Sequence, residues 1–304
     1  MKCNRSFIRP GAGPCISILL SLLLAACTEI VDLRSRSDYR DYLCVQAILT
    51  DRADRPQRVI LSRTVSYFED EDLPMVAGAS VSVNGVDFTE AIPGVYEAPE
   101  GYACTPGETY RLQVDLPDGT HCESETTMPV PGFRLDAVDY AYAGNKAKGI
   151  DSLWTLAIWG QDGPTDDYYR ITVGVNGSFY PFQLTETIND KYFNGNEVKG
   201  FLITTLMQTA SMRKRYGDCF KYLETGDVVT LEALTLDKEY YDFLTALAFS
   251  GVSIPILSPQ PANVPTNIRG EHVLGWFAVC PVTSASVTVD DPFRPYYRRL
   301  LTGS

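Results

Sequence analysis

Apolar and polar residues alternate along short stretches of the first half of the chain. In the clearest of them every second residue from Leu43 to Leu49 is aliphatic. This period of two predicts a β-strand with one buried face. The turn-forming pairs Asn84-Gly85 and Asp118-Gly119 lie between further runs of this kind, at residues 58–64, 76–83, 86–89, 94–96, 109–116 and 122–127. Short strands joined by tight turns predict an antiparallel sandwich of the immunoglobulin-like type.

The second half of the chain is also rich in strand patterns, but it contains one helical stretch. The strand candidates are residues 153–159, 168–175, 201–207, 228–236 and 286–289. After Asp237, a residue type that caps helices, apolar side chains recur at helical spacing. They are Tyr240, Phe243, Leu244, Leu247 and Ala248. We therefore predict one short helix whose apolar face packs on a sheet.

The segment Pro129–Pro131 separates the two halves. Because a residue before proline favours extended backbone, this segment is typical of a linker. We predict a mainly β protein, with an N-terminal immunoglobulin-like β-sandwich at residues 39–130. A second β-rich domain with one short helix follows at residues 131–304.

Residues 1–26 have the features of a bacterial lipoprotein signal peptide. Three basic residues precede the apolar run Ile16–Leu24, which ends in Leu-Ala-Ala-Cys at Cys27. The run is too short to span a bilayer as a permanent helix. We predict cleavage before Cys27, lipidation of Cys27 with palmitate-type acyl chains, and a lipidated tether at residues 27–38.

The lipid on Cys27 decides where the protein is expected to reside. Several tens of CH₂ groups, at roughly 0.8 kcal/mol each, anchor a protein effectively permanently. The acidic residues Glu29 and Asp32 follow the lipid site, as in some lipoproteins that are exported to the surface. We expect an outer-membrane protein that faces the cell exterior, with attachment to the inner leaflet as the alternative.

The charge of the chain argues against nucleic acid as a partner. The formal net charge is −12, and it becomes −15 once residues 1–26, with three basic and no acidic residues, are removed. Phosphate binding requires clustered lysine and arginine. No further apolar run approaches the roughly 20 residues that a membrane-spanning helix requires.

Five cysteines follow the lipidation site. Scattered spacing leaves two alternatives: disulfides, with Cys104–Cys122 and Cys219–Cys280 as the candidate pairs, or buried free thiols. The absence of a Cys-x-x-Cys pair argues against thiol-redox or zinc-ribbon chemistry. The five residues are Cys44, Cys104, Cys122, Cys219 and Cys280.

Residue types used in catalysis are present, but they form no known motif. The two histidines are His121, in a predicted hairpin, and His272, in a polar loop, and we interpret both as surface residues. The signatures of serine hydrolases, zinc proteases, phosphate-binding loops and dinucleotide sites are absent. The acidic stretches 69–72 and 162–167 lack calcium-loop spacing and are interpreted as solvated loops. We predict no catalytic site, no metal site and no cofactor.

Aromatic residues and one loop are the candidates for binding. Along residues 168–173 alternation predicts that Tyr169 faces the core, whereas Tyr168 and Arg170 face outward, where a tyrosine beside an arginine suits a sugar or a protein interface. The loop Asn263–His272, restricted by prolines, is a candidate partner contact; the favoured alternative is that it only routes the chain. The other aromatic clusters are Phe179-Tyr180 with Phe182, Tyr192-Phe193 and Tyr296-Tyr297.

Several segments together resemble a known family. Besides the lipobox at Cys27, they are Val76–Val83, Pro93–Tyr96, Pro106–Tyr110, Asp166–Arg170, and Pro261–Ile268 followed by Gly275–Phe277. The chain resembles the domain-of-unknown-function 4249 lipoproteins of Bacteroidota over nearly the whole mature length. The resemblance implies an outer-membrane lipoprotein associated with TonB-dependent nutrient receptors, and it supplies no catalytic residue.

These observations favour a binding protein over an enzyme. The leading hypothesis is a non-enzymatic surface lipoprotein that acts as an accessory binding or docking component of a TonB-dependent uptake system for glycan or peptide. The alternative is an envelope structural or adhesion lipoprotein without a nutrient ligand. A hydrolase of unfamiliar type would require a cleft of convergent carboxylates.

Overall fold

The computed structural model describes residues 42–64, 73–144, 151–181, 185–217, 221–250 and 265–302. These residues belong to one compact unit. The predicted signal peptide, the tether, the lipidation site Cys27, the acidic stretch 69–72 and Cys219 lie outside the described residues. Predictions that concern them stay predictions.

Strands dominate the described residues, which confirms the mainly β fold. The helix over Lys238–Ser250 is the predicted one, whereas those over Ala210–Tyr216 and Arg298–Thr302 are short helices that the pattern did not indicate. None of the described helices is long and apolar enough to cross a membrane. The strands are β1 Leu43–Thr50, β2 Arg58–Arg63, β3 Ser80–Val83, β4 Val86–Ile92, β5 Val95–Glu97, β6 Thr109–Asp115, β7 His121–Thr127, β8 Phe133–Gly144, β9 Ser152–Asp162, β10 Tyr168–Val175, β11 Ser178–Phe179, β12 Glu186–Asn189, β13 Glu197–Gln208, β14 Val228–Leu236, β15 Val273–Cys280 and β16 Val282–Thr288. The helices are α1 Ala210–Tyr216, α2 Lys238–Ser250 and α3 Arg298–Thr302.

Eight strands form one sheet in the order β15-β1-β2-β5-β4-β3-β6-β7. Its alternating residues enclose a core in a sandwich-like arrangement, with Leu43, Val83 and Leu112 fully buried. The two ends of this sheet approach each other, because Glu123 of β7 forms a bridge with Arg269, just before β15. The alternation that predicted the strands is therefore the alternation between this core and the outer face.

Strand β15 lies parallel to β1, although 222 residues separate Thr50 from Val273 along the chain. Close approach of the two strands requires glycine at position 275. Gly275 has φ +117°, and a Cβ atom there would lie 1.9 Å from the carbonyl oxygen of Val45. The predicted division into domains at residues 39–130 and 131–304 stays a prediction, but β15 of the second segment completes the sheet of the first.

The remaining strands form a five-stranded and a three-stranded sheet. In the first, β11, β10, β14 and β16 are neighbours and β12 also pairs with β10; in the second the order is β13-β9-β8. A second core lies between them, with Trp154, Leu156, Val175, Leu206 and Val229 among its most buried members.

Helix α2 packs on the outer faces of the eight-stranded and the five-stranded sheet. Asp237 caps it as predicted, because its Oδ1 atom accepts a hydrogen bond of 2.7 Å from the Tyr240 amide. Tyr240 and Leu244 are buried against Trp276 of β15 and Leu234 of β14. This third cluster links the eight-stranded sheet to the five-stranded one.

Helix α2 also covers the face of β10 that was predicted to be exposed. Tyr169 is buried as predicted, but Tyr168 and Arg170 are half-buried rather than free on an outer face. The Tyr168 ring lies 4.6 Å from that of Tyr241 on α2, and burial lowers the pKa of Arg170. The alternation was right, but it does not reveal that a helix covers the second face.

Candidate functional site

A shallow cavity of about 530 Å³ lies where the C-terminal segment crosses the outer side of β8 and β9. Two of its tyrosines bear on recognition: Tyr296 is 50% exposed, and the hydroxyl of Tyr297 donates a hydrogen bond of 2.7 Å to Thr155. Aromatic rings with polar tips suit ligands that have both an apolar face and hydroxyl or amide groups. We call the cavity the aromatic groove; its lining is Ala141, Tyr142, Ala143, Thr155, Pro295, Tyr296, Tyr297 and Leu300.

The aromatic groove is held by hydrogen bonds between the C-terminal segment and β8 and β9. The amide of Tyr142 donates to the Arg294 carbonyl at 2.7 Å, and the Trp154 indole donates to the Pro292 carbonyl at 2.6 Å. The exposed Phe293 ring meets that of Tyr142 edge to face at 5.3 Å. Since these contacts fix the backbone, the groove is formed before any ligand binds.

A second cavity, of about 510 Å³, lies between helix α2 and the outer face of β15, β1 and β2. One wall is a stack of three rings: Phe243 lies 4.7 Å from Trp276, and Tyr240 lies 5.9 Å from Trp276. We call this cavity the helix pocket. Its lining is Cys44, Val45, Gln46, Ile48, Ile60, Ser62, Thr64, Leu73, Met75, Tyr240, Phe243, Leu247, Gly275 and Trp276.

Three carboxylates converge where β9 ends, β10 begins and β12 ends. Each of Asp162, Asp167 and Asp190 offers one oxygen, and these oxygens lie within 4.8 Å of one another. We call them the acidic triad. Backbone amides hold them in place, since Gly195 donates to Asp162 at 3.1 Å and the Asp167 amide donates to Asp190 at 2.8 Å. Among the described residues this is the group that could hold a metal ion.

Burial sets the electrostatics of the acidic triad. Burial and the neighbouring carboxylates raise the pKa of Asp162 and of Asp167, and the hydroxyl of Tyr169 donates a hydrogen bond to Asp162 at 3.2 Å. The interpretation of residues 162–167 as a solvated loop was therefore wrong for Asp162, which is 3% exposed. The triad lines neither the aromatic groove nor the helix pocket.

The loop before β15 has a structural role in the described residues. The Asn267 side chain donates to the carbonyl of Phe277 at 2.7 Å and accepts from the Phe277 amide at 2.9 Å, so it replaces a strand partner. Thr266 donates to the Gly275 carbonyl at 2.7 Å. These bonds join the Pro-Thr-Asn-Ile segment to the Gly-Trp-Phe segment that follows it in the sequence. They favour the routing alternative over a partner contact; Asn263 lies outside the described residues.

The histidines and cysteines of the described residues lie apart from both cavities, except Cys44. His121 contacts Asp115 at 2.7 Å on the exposed hairpin of β6 and β7, and His272 packs edge to face on Tyr42. Cys104, Cys122 and Cys280 are free thiols, so the disulfide Cys104–Cys122 is not formed. Burial raises the pKa of Cys104 and of Cys122 to about 11, which disfavours the reactive thiolate.

Comparison with known families gives one result. A family model described as Domain of unknown function (DUF4249) matches residues 28–286. A comparison with the curated proteins finds no match. The matched range includes every residue of the helix pocket and of the acidic triad, but not the C-terminal segment of the aromatic groove. Because the match covers most of the chain, the protein belongs to the DUF4249 family.

Proposed function

We propose that this chain is a non-enzymatic lipoprotein of the outer membrane, exposed at the cell surface. It acts as an accessory binding and docking component of a TonB-dependent system that takes up glycan or peptide. The lipobox at Cys27 supports the anchor, and the acidic net charge supports an exposed, soluble ectodomain.

The observation that carries this proposal is the aromatic groove. Tyr296 and Leu300 are each at least half exposed on a rigid frame, and Phe293 beside them is 62% exposed. Exposed aromatic and aliphatic side chains clustered around hydrogen-bonding groups are typical of protein and sugar recognition. The hydroxyl of the exposed Tyr296 is such a group, while those of Tyr297 and Thr155 bond to each other.

The test is co-purification from outer membranes with the lipidated protein. We expect a TonB-dependent receptor to co-purify with the wild type and with Tyr192→Ala, whose ring is 77% exposed away from the aromatic groove. Tyr296→Ala is expected to lose most of the receptor, because an exposed ring that lines the groove is removed.

A second variant tests the anchor. Cys27→Ser is expected to abolish acylation and to release the protein from the membrane, because anchoring resides in the lipid of that residue. Membrane partition without a lipid label would contradict the lipoprotein assignment. A wild type that retains its lipid but brings down no receptor would favour the envelope structural or adhesion alternative.

A further inference from the structure

The helix pocket carries an inference that goes beyond the proposed function, since none of its described residues also lines the aromatic groove. It is formed because the outward residues of β1 and β2 lie on one face, with Gln46 paired to Ile60 and Cys44 paired to Ser62. Helix α2 covers this face at Tyr240 and leaves a space of about 510 Å³. That volume lies in the usual range for small-molecule sites, roughly 300–1,000 Å³.

None of the described residues that line the helix pocket is charged. These residues therefore offer an ionic ligand no counter-charge. An ion that enters such a site leaves water without a counter-charge, which costs several kcal/mol or more. An uncharged ligand does not carry this cost at the described residues.

The described lining of the helix pocket is mainly apolar and contains a few polar groups. On the strands, the amide of Gln46 and the hydroxyl of Ser62 lie among apolar neighbours such as Ile60. The aromatic wall contains a hydrogen-bond donor without an acceptor: the indole N–H of Trp276 is buried and has no hydrogen-bond partner. A molecule with an apolar body and an oxygen at one end would fit this distribution, because it buries apolar surface and supplies an acceptor.

The pocket is rigid on its aromatic side. Tyr240, Phe243 and Trp276 stack on one another with interplanar angles of 18° to 29°. Tyr240 is 1% exposed and Trp276 is 7% exposed, so both rings are fixed by the core. A preformed wall lowers the entropic cost of binding.

We infer that the helix pocket is a binding site for an uncharged amphipathic small molecule, with an aliphatic body and a hydrogen-bonding oxygen at one end. Simple long-chain alcohols represent this class. Glycans do not fit the described lining, because it offers few polar groups for their many hydroxyls.

The experiment uses the mature chain with Cys27→Ser, so that the protein's own acyl chains do not compete. Nile red, an uncharged dye, reports occupancy by fluorescence, and 1-decanol, decanoate and maltotriose serve as competitors. We expect 1-decanol to displace the dye at a concentration at least tenfold below that of decanoate, and maltotriose not to displace it. Decanoate that competes as well as 1-decanol would overturn the inference, because the described lining offers the carboxylate no counter-charge and burying it there is costly.

Matched variants locate the site. Leu73→Glu places a carboxylate at the rim of the helix pocket, and Ile92→Glu places one outside it. The two positions are matched in exposure, since Leu73 is 57% exposed and Ile92 is 63% exposed. Leu247→Glu tests the helix side in the same way. We expect Leu73→Glu and Leu247→Glu to weaken the binding of 1-decanol at least tenfold with unchanged thermal unfolding. Ile92→Glu is expected to bind 1-decanol like the wild type. Equal binding by all three would overturn the assignment, whereas loss of receptor co-purification alone would affect only the proposed function.

Discussion

Arg294 and Asp139 form an ion pair that is buried on both sides. The Arg294 guanidinium lies 2.6 Å from the Asp139 carboxylate, and each side chain is 4% exposed. Asp139 also accepts a hydrogen bond of 3.0 Å from the amide of Arg299, at the beginning of α3. The pair therefore fastens the C-terminal segment, and with it the aromatic groove, to strand β8.

Loss of Arg294 is expected to destabilise the protein severely. Arg294→Met leaves the Asp139 carboxylate buried without its partner, and breaking such a pair costs about 3–5 kcal/mol. The free energy of unfolding in urea, followed by circular dichroism, measures the effect. Arg298→Met is the control, because Arg298 is 64% exposed and its pairing with Asp290 is worth at most about 1 kcal/mol. Equal losses in the two variants would contradict the role assigned to the buried pair.

Local patterns predicted the elements that have one buried face. The aliphatic residues from Leu43 to Leu49 indicated β1, and the spacing from Tyr240 to Leu247 indicated α2, because each period follows from the geometry of one element. In β15 this signal is lost. Phe277 faces the first core and Trp276 the third, so the strand is a continuous apolar run that resembles no alternation.

The candidate sites were less predictable than the elements, because they combine distant residues. The acidic triad joins Asp162 and Asp167 to Asp190, which no spacing rule connects to them. The helix pocket depends on the parallel pairing of β1 with β15. Tyr296 was noticed as an aromatic residue, but its neighbour in the groove, Tyr142, belongs to a strand that the pattern missed.

Asn267 is expected to matter for stability, and Arg269 much less. Asn267→Ala removes two hydrogen bonds to Phe277 and leaves backbone groups of β15 unsatisfied, which costs about 1–3 kcal/mol. Arg269 is 66% exposed, and its pairing with Glu123 at 3.6 Å is worth at most about 1 kcal/mol. Thermal unfolding of the two alanine variants, together with receptor co-purification, separates the alternatives. Lost co-purification with unchanged stability in Asn267→Ala would make this loop a partner contact.

The buried cysteines are expected to be unreactive in the folded protein. A pKa of about 11 for Cys104 and Cys122 lowers the thiolate fraction at pH 8 by about a hundredfold relative to an ordinary thiol with a pKa of 9.0, and burial blocks access as well. Alkylation with iodoacetamide, resolved by mass spectrometry of peptides, measures each site. We expect both sites to react at least a hundredfold faster in urea than in the native protein. Similar rates in the two states would show that these thiols are accessible without unfolding.

The acidic triad is expected to destabilise the folded state at neutral pH. Burial raises the pKa of Asp167 above the ordinary aspartate value of 3.8, so the folded state binds its proton more tightly than the unfolded state does. The contribution of this carboxyl to the free energy of unfolding therefore falls as the pH rises from about its pKa in the unfolded state to its pKa in the folded state. At higher pH the contribution is constant. Asp167→Asn keeps the shape of the side chain and removes the charge.

We therefore expect Asp167→Asn to raise the free energy of unfolding at pH 7 and to leave it nearly unchanged at pH 3.5. Asp166→Asn is the matched control, because the neighbouring carboxylate is exposed and lies outside the acidic triad. Urea unfolding of both variants in metal-free buffer at the two pH values measures the difference. A gain for Asp167→Asn that is as large at pH 3.5 as at pH 7 would show that the ionised carboxylate is not the cause, since protonation already removes that charge at low pH.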